Sequence, residues 1–397
     1  MRKSMINKQI FFRGISVVLI LMVLCIRVFQ LFLPDKEYSE MENRNLQTKP
    51  EINLTRILSG RYSSNMETCA ADQFPFRTAW VQMKGLADRL MGKTESNHIF
   101  LAKKGYLIEN FIEADSDVYD VRIKCLEAFA KKQKNLNQYM LIAPTAVDIY
   151  RELLPAFAQV GDQDAFLDRL KKDAEKMGIT FVDVRKAFRQ AEDTQLYYRT
   201  DHHWTTDGAY LACSEFARAA ALANWGGKDT DEEYERLLIT DSFSGTMSAS
   251  SGFRMWEKED MYVYIPANSD VQYSVNYVTE ARVSASFYET KQLKKRDKYA
   301  VFLGGNHPLV KISTTAGTDR VLLILKDSYA NCFVPFLTGQ YDKILMVDPR
   351  YYYDDLENLI SSEEVTDLLY LYNANGFAQD TSLVTVLGSE ENKVEKN

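Results

Sequence analysis

With 397 residues, 46% of them hydrophobic and 26% charged, the chain is long and apolar enough to bury one large core or two modest ones, and it is not a disordered chain. Lys and Arg total 48 against 55 Asp and Glu, and the resulting net charge of -7 argues against a nucleic-acid partner, which requires a basic patch. Five scattered cysteines without a C-x-x-C pair predict neither a zinc site nor a disulfide framework, and we expect most of them to be small buried apolar residues.

An apolar run near the amino terminus predicts an uncleaved membrane anchor. Almost every residue from 14 to 33 is apolar, and about 20 residues of helix cross a bilayer core. Arg27 lies close enough to the end of the run for its guanidinium to reach the interface. Four basic residues precede the run, so the positive-inside rule predicts a cytoplasmic segment 1–13 and sends the remainder of the chain out of the cytoplasm. The alternative is a cleaved signal peptide, but no small-residue cleavage site follows the run.

Beyond the anchor, residues 34–55 are polar and charged, which predicts a stalk that is extended or loosely ordered. Helical spacing follows from Leu58 to Met91, with a break at which Pro75 should start a second helix. Residues 97–108 then predict a short strand pair that turns around Lys104-Gly105.

From residue 118 onward, short apolar strands alternate with helices, a pattern that predicts parallel pairing with both sheet faces covered. We expect helices at 118–132, 164–177, 329–337 and 356–360, and strands at 138–143, 179–182, 320–325, 343–347 and 368–371. The predicted fold class is α/β, with an open mostly parallel sheet and helices on both faces of one extracytoplasmic domain, 56–385. A polar tail, 386–397, closes the chain.

The predicted domain contains an insertion with a different sequence pattern, about 224–318. It holds a Gly/Ser-rich loop at 242–252 and alternating stretches such as 261–265, which predict antiparallel hairpins. We expect this β-rich insertion to be a lid or a substrate-facing subdomain.

Two of the four histidines stand beside a carboxylate in the stretch Asp201-His202-His203-Trp204. An imidazole whose tautomer is fixed by a carboxylate is the usual general base for activating a serine. A structural network, with Asp201 holding a histidine and Trp204 packing on the sheet, is the alternative. Zinc would need a third ligand at a telling spacing, and Asp207, His98 and His307 offer none, so we expect no metal.

The serine that best fits this base is Ser328. A buried apolar strand ends just before Lys326-Asp327-Ser328, and a helical run follows, so Ser328 should lie at the carboxyl edge of the sheet, where open α/β folds bind ligands. The amino end of the following helix could stabilise an oxyanion. Alternatively, Ser328 or Asp327 merely caps that helix. Ser242, which follows Asp241, leads into glycine and serine rather than a helix and ranks behind.

These residues also carry a family resemblance. The Asp-His-His-Trp motif, preceded by Tyr198 and followed by Gly208-Ala209, resembles the signature of the DHHW proteins, which are similar to the periplasmic alginate O-acetylation proteins and to the SGNH-hydrolase-like acyltransferases. Gly60 and the stretches 72–77 and 105–107 resemble the same group. The resemblance covers roughly residues 41–372, with the insertion matching least, and it implies an SGNH-hydrolase-like fold.

The resemblance implies a Ser-His-Asp triad in which Asp201 orients His203 and Ser328 accepts the acyl group. It also implies substrate or oxyanion roles for three groups that follow strand ends: Arg350, Tyr372 and Asn373.

Two departures from the family pattern leave questions open. His202 stands where the alginate proteins have a small residue, so it remains an alternative base. Asp327 replaces a frequent Thr, and its charge would oppose an oxyanion unless it points away or is paired, for instance by Lys326.

The expected function is therefore that of a membrane-anchored extracytoplasmic O-acetyltransferase that acylates hydroxyls of a cell-surface or exported polysaccharide, without a cofactor. Because acetyl-coenzyme A is cytoplasmic, the resemblance implies a membrane-bound O-acyltransferase as the acetyl donor. Two other functions remain open: a carbohydrate acetylesterase that ends at hydrolysis, and a non-catalytic scaffold or carbohydrate-binding subunit of a polysaccharide export complex.

Overall fold

The computed structural model describes residues 2–39, 44–113, 115–192, 194–222, 225, 234–253, 258–267 and 269–388. The first helix, α1 (Arg2–Leu31), contains a stretch, Phe12–Gln30, that is long and apolar enough to cross a membrane and has no share buried inside the protein. The single apolar helix predicted near the amino terminus is thus present. Most of the predicted polar tail, from residue 389, and residues 224, 226–233, 254–257 and 268 of the predicted insertion lie outside the described residues.

The predicted stalk, 34–55, contains short strands among its described residues. Two short strands, β1 (Tyr38–Ser39) and β2 (Arg44–Asn45), pair antiparallel. The Gln73 side chain accepts a hydrogen bond from the Lys36 backbone at 2.9 Å and donates to the carbonyls of Lys36 and Gln47 at 2.9 and 3.1 Å. The amide of Gln73 thus satisfies backbone hydrogen-bonding groups of the segment after α1 that have no partner close by in the sequence.

Three helices and a small sheet come next: α2 (Leu54–Leu58), α3 (Arg61–Asp72), α4 (Arg77–Leu90), β3 (Glu95–Ser96), β4 (Ile99–Leu101) and β5 (Leu107–Glu109). The predicted helix break is confirmed, although α4 starts two residues after Pro75, at Arg77, with Phe76 in the left-handed region as its N-cap. The predicted strand pair is also confirmed, and β3 adds a third antiparallel strand.

The remaining elements form the body of the protein. Its helices are α5 (Ser116–Lys132), α6 (Ala146–Ile149), α7 (Gln163–Lys176), α8 (Arg185–Gln190), α9 (Thr206–Ala219), α10 (Met247–Ser251), α11 (Ala330–Phe333), α12 (Leu356–Ser362), α13 (Ala374–Gln379) and α14 (Ser382–Leu387). Its strands are β6 (Asn137–Ala143), β7 (Thr180–Phe181), β8 (Tyr234–Phe243), β9 (Glu259–Pro266), β10 (Tyr273–Tyr277), β11 (Arg282–Ser284), β12 (Leu309–Thr314), β13 (Val321–Lys326), β14 (Lys343–Val347) and β15 (Asp367–Asn373).

Eight of these strands form one mixed sheet in the order β11-β10-β12-β14-β13-β15-β6-β7. The pairs from β14 to β7 are parallel, as the alternating pattern predicts, and the pairs from β11 to β14 are antiparallel. The second half of the predicted insertion is therefore an extension of the main sheet and not a separate subdomain. The first half of the insertion differs, because its strands β8 and β9 pair with each other as an antiparallel hairpin outside the main sheet.

The core lies in two layers, one on each face of this sheet. Leu322 and Ile324 of β13 pack with Phe216 of α9 on one face, while Leu323 and Leu325 pack in the other layer. Such strands are apolar throughout because both of their faces are covered. The carboxyl ends of β13, β14 and β15 lie side by side at one edge, and this edge carries the candidate site.

The five cysteines are free thiols in the structure, and Cys69, Cys213 and Cys332 are buried. The expectation that most of them are buried apolar residues is confirmed for these three.

Candidate active site

The structure brings Ser328, His203 and Asp201 together, although 125 residues separate the serine from the histidine. His203 Nε2 lies 2.7 Å from Ser328 Oγ, and His203 Nδ1 lies 2.5 Å from Asp201 Oδ1. Asp201 and His203 are buried, whereas Ser328 is partly exposed in the turn that follows β13. The hydroxyl, the imidazole and the carboxylate thus form one hydrogen-bonded chain, which is the arrangement of a Ser-His-Asp triad.

A buried carboxylate fixes the loop that leads into the Asp-His-His-Trp motif. Glu259, at the start of β9, accepts hydrogen bonds from the backbone N–H groups of Arg199 and Thr200 at 2.9 and 3.2 Å, and from Gln195 Nε2 at 2.9 Å. At the other end of the motif, the Thr205 side chain caps α9 by accepting from the Gly208 N–H. The motif is therefore held from both sides by polar contacts.

Asp201 is oriented by two backbone donors. Its Oδ1 accepts from the His203 N–H at 3.1 Å and its Oδ2 accepts from the Thr246 N–H at 3.1 Å. Thr246 belongs to the Gly/Ser-rich loop, which passes so close that a Cβ atom on Gly245 would lie 2.4 Å from Asp201 Cβ. Glycine is required at this close approach.

Aromatic rings surround the imidazole of His203. The ring of Tyr299 stacks on it, with centroids 3.6 Å apart and planes inclined by 11°. Trp204 Nε1 donates to the Tyr329 carbonyl at 3.1 Å, and the Tyr329 hydroxyl donates to the His202 carbonyl at 2.5 Å. These bonds join the motif directly to the turn that carries Ser328.

The electrostatics keep the imidazole of His203 neutral. Burial and, to a smaller extent, the charge of His202 lower its pKa, Asp201 opposes both, and the net result is a fall from 6.5 to about 4. Burial by itself raises the pKa of the Asp201 carboxyl, but His203, His202 and the Thr246 N–H together bring it below its usual range. Asp201 is thus ionised, and it favours the tautomer with the proton on Nδ1, which leaves the Nε2 lone pair facing Ser328.

Asp327 does not direct its charge at the serine. Its Oδ1 accepts from the Tyr329 N–H at 2.9 Å, and its Oδ2 accepts from the backbone N–H and the Nδ2 of Asn373 at 2.8 and 2.7 Å. Lys326 pairs instead with Asp348, at 3.5 Å. Because Asn373 supplies the donors, the sequence-based suggestion that Lys326 pairs Asp327 is wrong.

The helical run expected at 329–337 is present at 330–337, but it is only partly α-helical. It consists of the single α-turn α11 and a 3-10 turn, Val334–Leu337. The Tyr329 N–H at its start is already bonded to Asp327, so the turn is braced from within.

Arg350 follows β14 at the same edge as Ser328. Its Nε and Nη2 bind the Asp348 carboxylate at 2.8 and 2.6 Å, and its side chain is partly exposed. Among the described residues Nη1 has no hydrogen-bond partner. The positive charge of Arg350 contributes to the lowered pKa of His203, so the guanidinium interacts electrostatically with the imidazole.

The structure gives Tyr372 and Asn373 surroundings that differ from the expected substrate contacts. Tyr372 is buried in the core layer opposite to Leu371, and its ring packs against Phe377 at 5.8 Å. Asn373 caps α13 by accepting from the Gly376 N–H at 2.9 Å while its amide binds Asp327. Strand alternation explains the first case, and the capping of a helix explains the second.

His202 lies beside the triad without being part of its hydrogen-bonded sequence. Its Nδ1 is 3.6 Å from Asp201 Oδ1, its ring centroid is 4.0 Å from that of His203, and its side chain is 36% exposed. The ligand atoms of Asp201, His202 and His203 lie within 4.8 Å of one another, a spacing that could hold a metal ion. However, both nitrogens of His203 are engaged with Asp201 and Ser328, so metal binding there would break these contacts.

Sequence reasoning missed the residues that support the triad: Glu259, Thr246 and Tyr299. The Gly/Ser-rich loop was noticed, but nothing local to it signals contact with residues 45 positions earlier. Glu259 and Tyr299 stand in stretches whose patterns resemble ordinary surface strands and turns.

The chain is similar in sequence and in fold to several known proteins. The family model described as SGNH hydrolase-like domain, acetyltransferase AlgX, matches residues 124–292. A probable alginate O-acetylase, AlgJ of Pseudomonas fluorescens, is 25% identical over 177 residues, which are 42% of this chain and 44% of that protein. The chain thus spans less than half the length of this curated relative.

Two solved structures share the fold. A DHHW family protein from Eubacterium siraeum matches with a TM-score of 0.62 and 22% identity, over 73% of this chain and 96% of that one. Bacillus cereus PatB1, solved with a sulfonyl adduct, matches with a TM-score of 0.57 and 18% identity, over 72% of this chain and 98% of that one. The resemblance found in the sequence is therefore confirmed: residues 124–292 match the model of an SGNH hydrolase-like domain, and the α/β fold is similar to that of a DHHW family protein.

Proposed function

We propose that this protein is a membrane-anchored extracytoplasmic O-acetyltransferase that uses Ser328, His203 and Asp201 to acylate hydroxyls of a cell-surface or exported polysaccharide. The observation that carries the proposal is the continuous hydrogen-bonded sequence Asp201–His203–Ser328, with distances of 2.5 and 2.7 Å. The names of the relatives, acetyltransferase AlgX and probable alginate O-acetylase, support acetyl transfer and a polysaccharide acceptor.

In the first half-reaction, Ser328 Oγ attacks the carbonyl carbon of the acetyl donor while its proton moves to His203 Nε2. The bond between the acetyl group and the donor oxygen then breaks, and His203 returns the proton to the leaving oxygen. Asp201 stabilises the imidazolium that exists between these steps. The product is an acetyl ester on Ser328.

In the second half-reaction, a sugar hydroxyl takes the place of the donor. His203, neutral again, removes the hydroxyl proton as the oxygen attacks the acetyl-serine, and the proton then returns to Ser328. Tyr299 covers one face of the imidazole, which limits the access of water from that side. Transfer to sugar rather than water depends on such exclusion.

Arg350 is our candidate for stabilising the oxyanion. It follows β14, next to the strand that ends before Ser328, and its Nη1 has no partner among the described residues while Asp348 holds the other two nitrogens. A fixed cation at the place where negative charge develops is among the most effective contributions to catalysis.

The anchor determines the source of the acetyl group in this proposal. Helix α1 is the candidate membrane span, and the basic residues before it favour a cytoplasmic amino terminus. The site would then face away from cytoplasmic acetyl-coenzyme A, so we propose a membrane-bound O-acyltransferase as the donor partner.

The test uses the full chain in nanodiscs, supplied with 4-nitrophenyl acetate and an acceptor oligosaccharide. We expect an acetylated Ser328 peptide and acetylated sugar in mass spectrometry. Acetate as the sole product would indicate an esterase instead. Absence of an acetyl-serine in the wild type, with polysaccharide modification in cells unchanged by Ser328→Ala, would contradict an enzymatic role and favour a scaffold.

A further inference from the structure

Helix α4 exposes an apolar stripe to the outside of the protein. Phe76, Trp80, Met83, Leu86 and Leu90 recur every three to four residues and are 73%, 47%, 59%, 59% and 80% exposed. Residues at this spacing share one helix face. We call these five residues the α4 apolar face.

The opposite face of α4 is small and polar, and it packs on the body. Gly85 meets Gly252, just after α10, so closely that a Cβ atom on Gly85 would lie 2.2 Å from the Gly252 carbonyl oxygen. Asp88 is buried and pairs with Lys84 at 3.0 Å and Lys93 at 2.9 Å. A surface helix of a water-soluble protein has the reverse orientation, and this close packing prevents α4 from turning its apolar side inward.

The α4 apolar face is continuous with the candidate membrane span. The ring of Phe29, within Phe12–Gln30, stacks on the ring of Phe76 with centroids 6.2 Å apart and planes inclined by 14°. The contacts between Lys36 and Gln73 hold the chain after α1 against the same region. If α1 crosses the bilayer, α4 begins at the depth where the span ends.

We propose that α4 lies along the outer surface of the membrane, with its apolar face inserted among the lipids beside α1. An amphipathic helix in this orientation buries its apolar side at the boundary between headgroups and acyl chains, and a tryptophan is favoured at that depth. Arg89 is exposed on the same helix, and Arg56 of α2 and Arg61 of α3 are exposed on the two preceding helices; cationic side chains near a membrane surface are attracted to lipid phosphates. The inference requires the anchor of the proposed function but not its chemistry.

The consequence concerns the place of the catalytic domain. Two contacts with the bilayer, one spanning and one in the surface plane, hold a domain more closely than a flexible stalk does. The body that packs on α4 through Gly85 and Gly252 would therefore be kept at the membrane surface, where a membrane-bound donor releases acetyl groups.

The test measures tryptophan quenching by lipid. The full chain is reconstituted in protein-free vesicles of phosphatidylcholine with an anionic phospholipid, with and without acyl chains brominated near the headgroup. Comparison of the wild type with Trp80→Phe isolates the emission of Trp80. We expect brominated lipid to quench most of this component. Equal quenching of the two proteins would overturn the proposal.

A matched control moves the probe elsewhere. Phe157 is 96% exposed on a loop of the body, and Phe157→Trp in the Trp80→Phe background should give an emission that lipid does not quench. A second variant, Met83→Glu with Leu86→Glu, should reduce the quenching of Trp80 while hydrolysis of 4-nitrophenyl acetate stays unchanged. Quenching of Trp80 retained in this double variant would contradict the membrane contact. Wild-type protein that is quenched by lipid but does not hydrolyse the ester would count against the proposed chemistry and leave the membrane contact standing.

Discussion

The sheet edge that carries Ser328 and the helix α4 break the usual rule of burial in opposite directions. At the sheet edge, Asp201, Lys326 and Asp348 are charged side chains with 3%, 1% and 0% exposure. On α4, large apolar side chains are exposed, with Leu90 at 80%. A buried charge is tolerated only when it is paired and hydrogen-bonded. A large apolar patch on the protein surface marks a site of interaction with another molecule or with a membrane.

The comparison teaches that the buried charges find their partners inside the structure, whereas the exposed apolar side chains do not. The charges at the sheet edge are bonded to one another, to amides and to backbone donors, as the contacts of Asp201 and Asp327 illustrate. The α4 apolar face has no such partner among the described residues, apart from Phe29 on Phe76 and Phe74 on Trp80. Polar exceptions point to chemistry and apolar exceptions to an interface.

The largest expected effect is at the triad. Ser328→Ala and His203→Ala should each lower kcat/KM for 4-nitrophenyl acetate by about four to six orders of magnitude, because triad residues act as a unit. Ser242→Ala is the matched control, since Ser242 Oγ contacts Lys298 at 2.6 Å and not the triad. A crippled Ser242→Ala with an active Ser328→Ala would reverse our choice of nucleophile.

A smaller effect should come from the loop behind Asp201. In Gly245→Ala the new Cβ would lie 2.4 Å from Asp201 Cβ, so the carboxylate must shift, and a displacement of the order of 1 Å costs about 10²-fold in kcat. Gly339→Ala is the control, because no heavy atom of the described residues lies within 4 Å of its added Cβ. Equal kinetics of the two variants would mean that the orientation of Asp201 does not limit the rate.

His202 should affect the pH profile more than the maximal rate. The base works when neutral, so kcat/KM should fall as pH drops through the lowered pKa of His203, below 6.5. His202→Ala removes a neighbouring positive charge, which raises the pKa of His203 and moves the acid limb to higher pH, with a loss of about tenfold or less at pH 7. His98→Ala, at an exposed histidine paired with Glu95, should leave the profile unchanged. Loss of several orders of magnitude in His202→Ala would instead identify His202 as the base.

The smallest effect should come from single changes on α4. Met83 is 59% exposed, so Met83→Ser should change the free energy of unfolding by less than about 0.5 kcal/mol. Leu371 lies in β15 and has 0% exposure, so Leu371→Ala should cost about 3 kcal/mol. Urea unfolding of the full chain in micelles measures both. A large loss for Met83→Ser would show that α4 is part of the folded core rather than an outward-facing helix.

Local pattern was enough for the parallel half of the fold. The strand Lys343–Val347 lies where the apolar run predicts it, and the strands β6, β13 and β15 deviate from their predicted ends by a few residues at most. The antiparallel half was predicted only as hairpins in an insertion. Whether such hairpins stand alone or extend a sheet depends on the partner of the outer strand, here β14 beside β12, and no local pattern encodes that partner.

The candidate site divides in a similar way. Asp201 and His203 are two residues apart, so their contact follows from the motif, and the turn after a buried strand indicates Ser328. The positions of Tyr372 and Asn373 could not be inferred, because strand alternation and the Gly376 cap decide where their side chains point. The contacts of Glu259 with the loop before the motif and of Tyr299 with His203 could not be inferred from the sequence either.

By itself the sequence determined the apolar span, the alternation of strands and helices, and the carboxylate beside an imidazole, because these depend on residues close to one another in the chain. Only the tertiary structure decided that Ser328 meets His203, that β10 to β12 join the main sheet, and that α4 turns its apolar side outward. Those outcomes depend on packing between distant segments, such as Trp204 against Tyr329 and Gly85 against Gly252, where shape and hydrogen bonding override local preference.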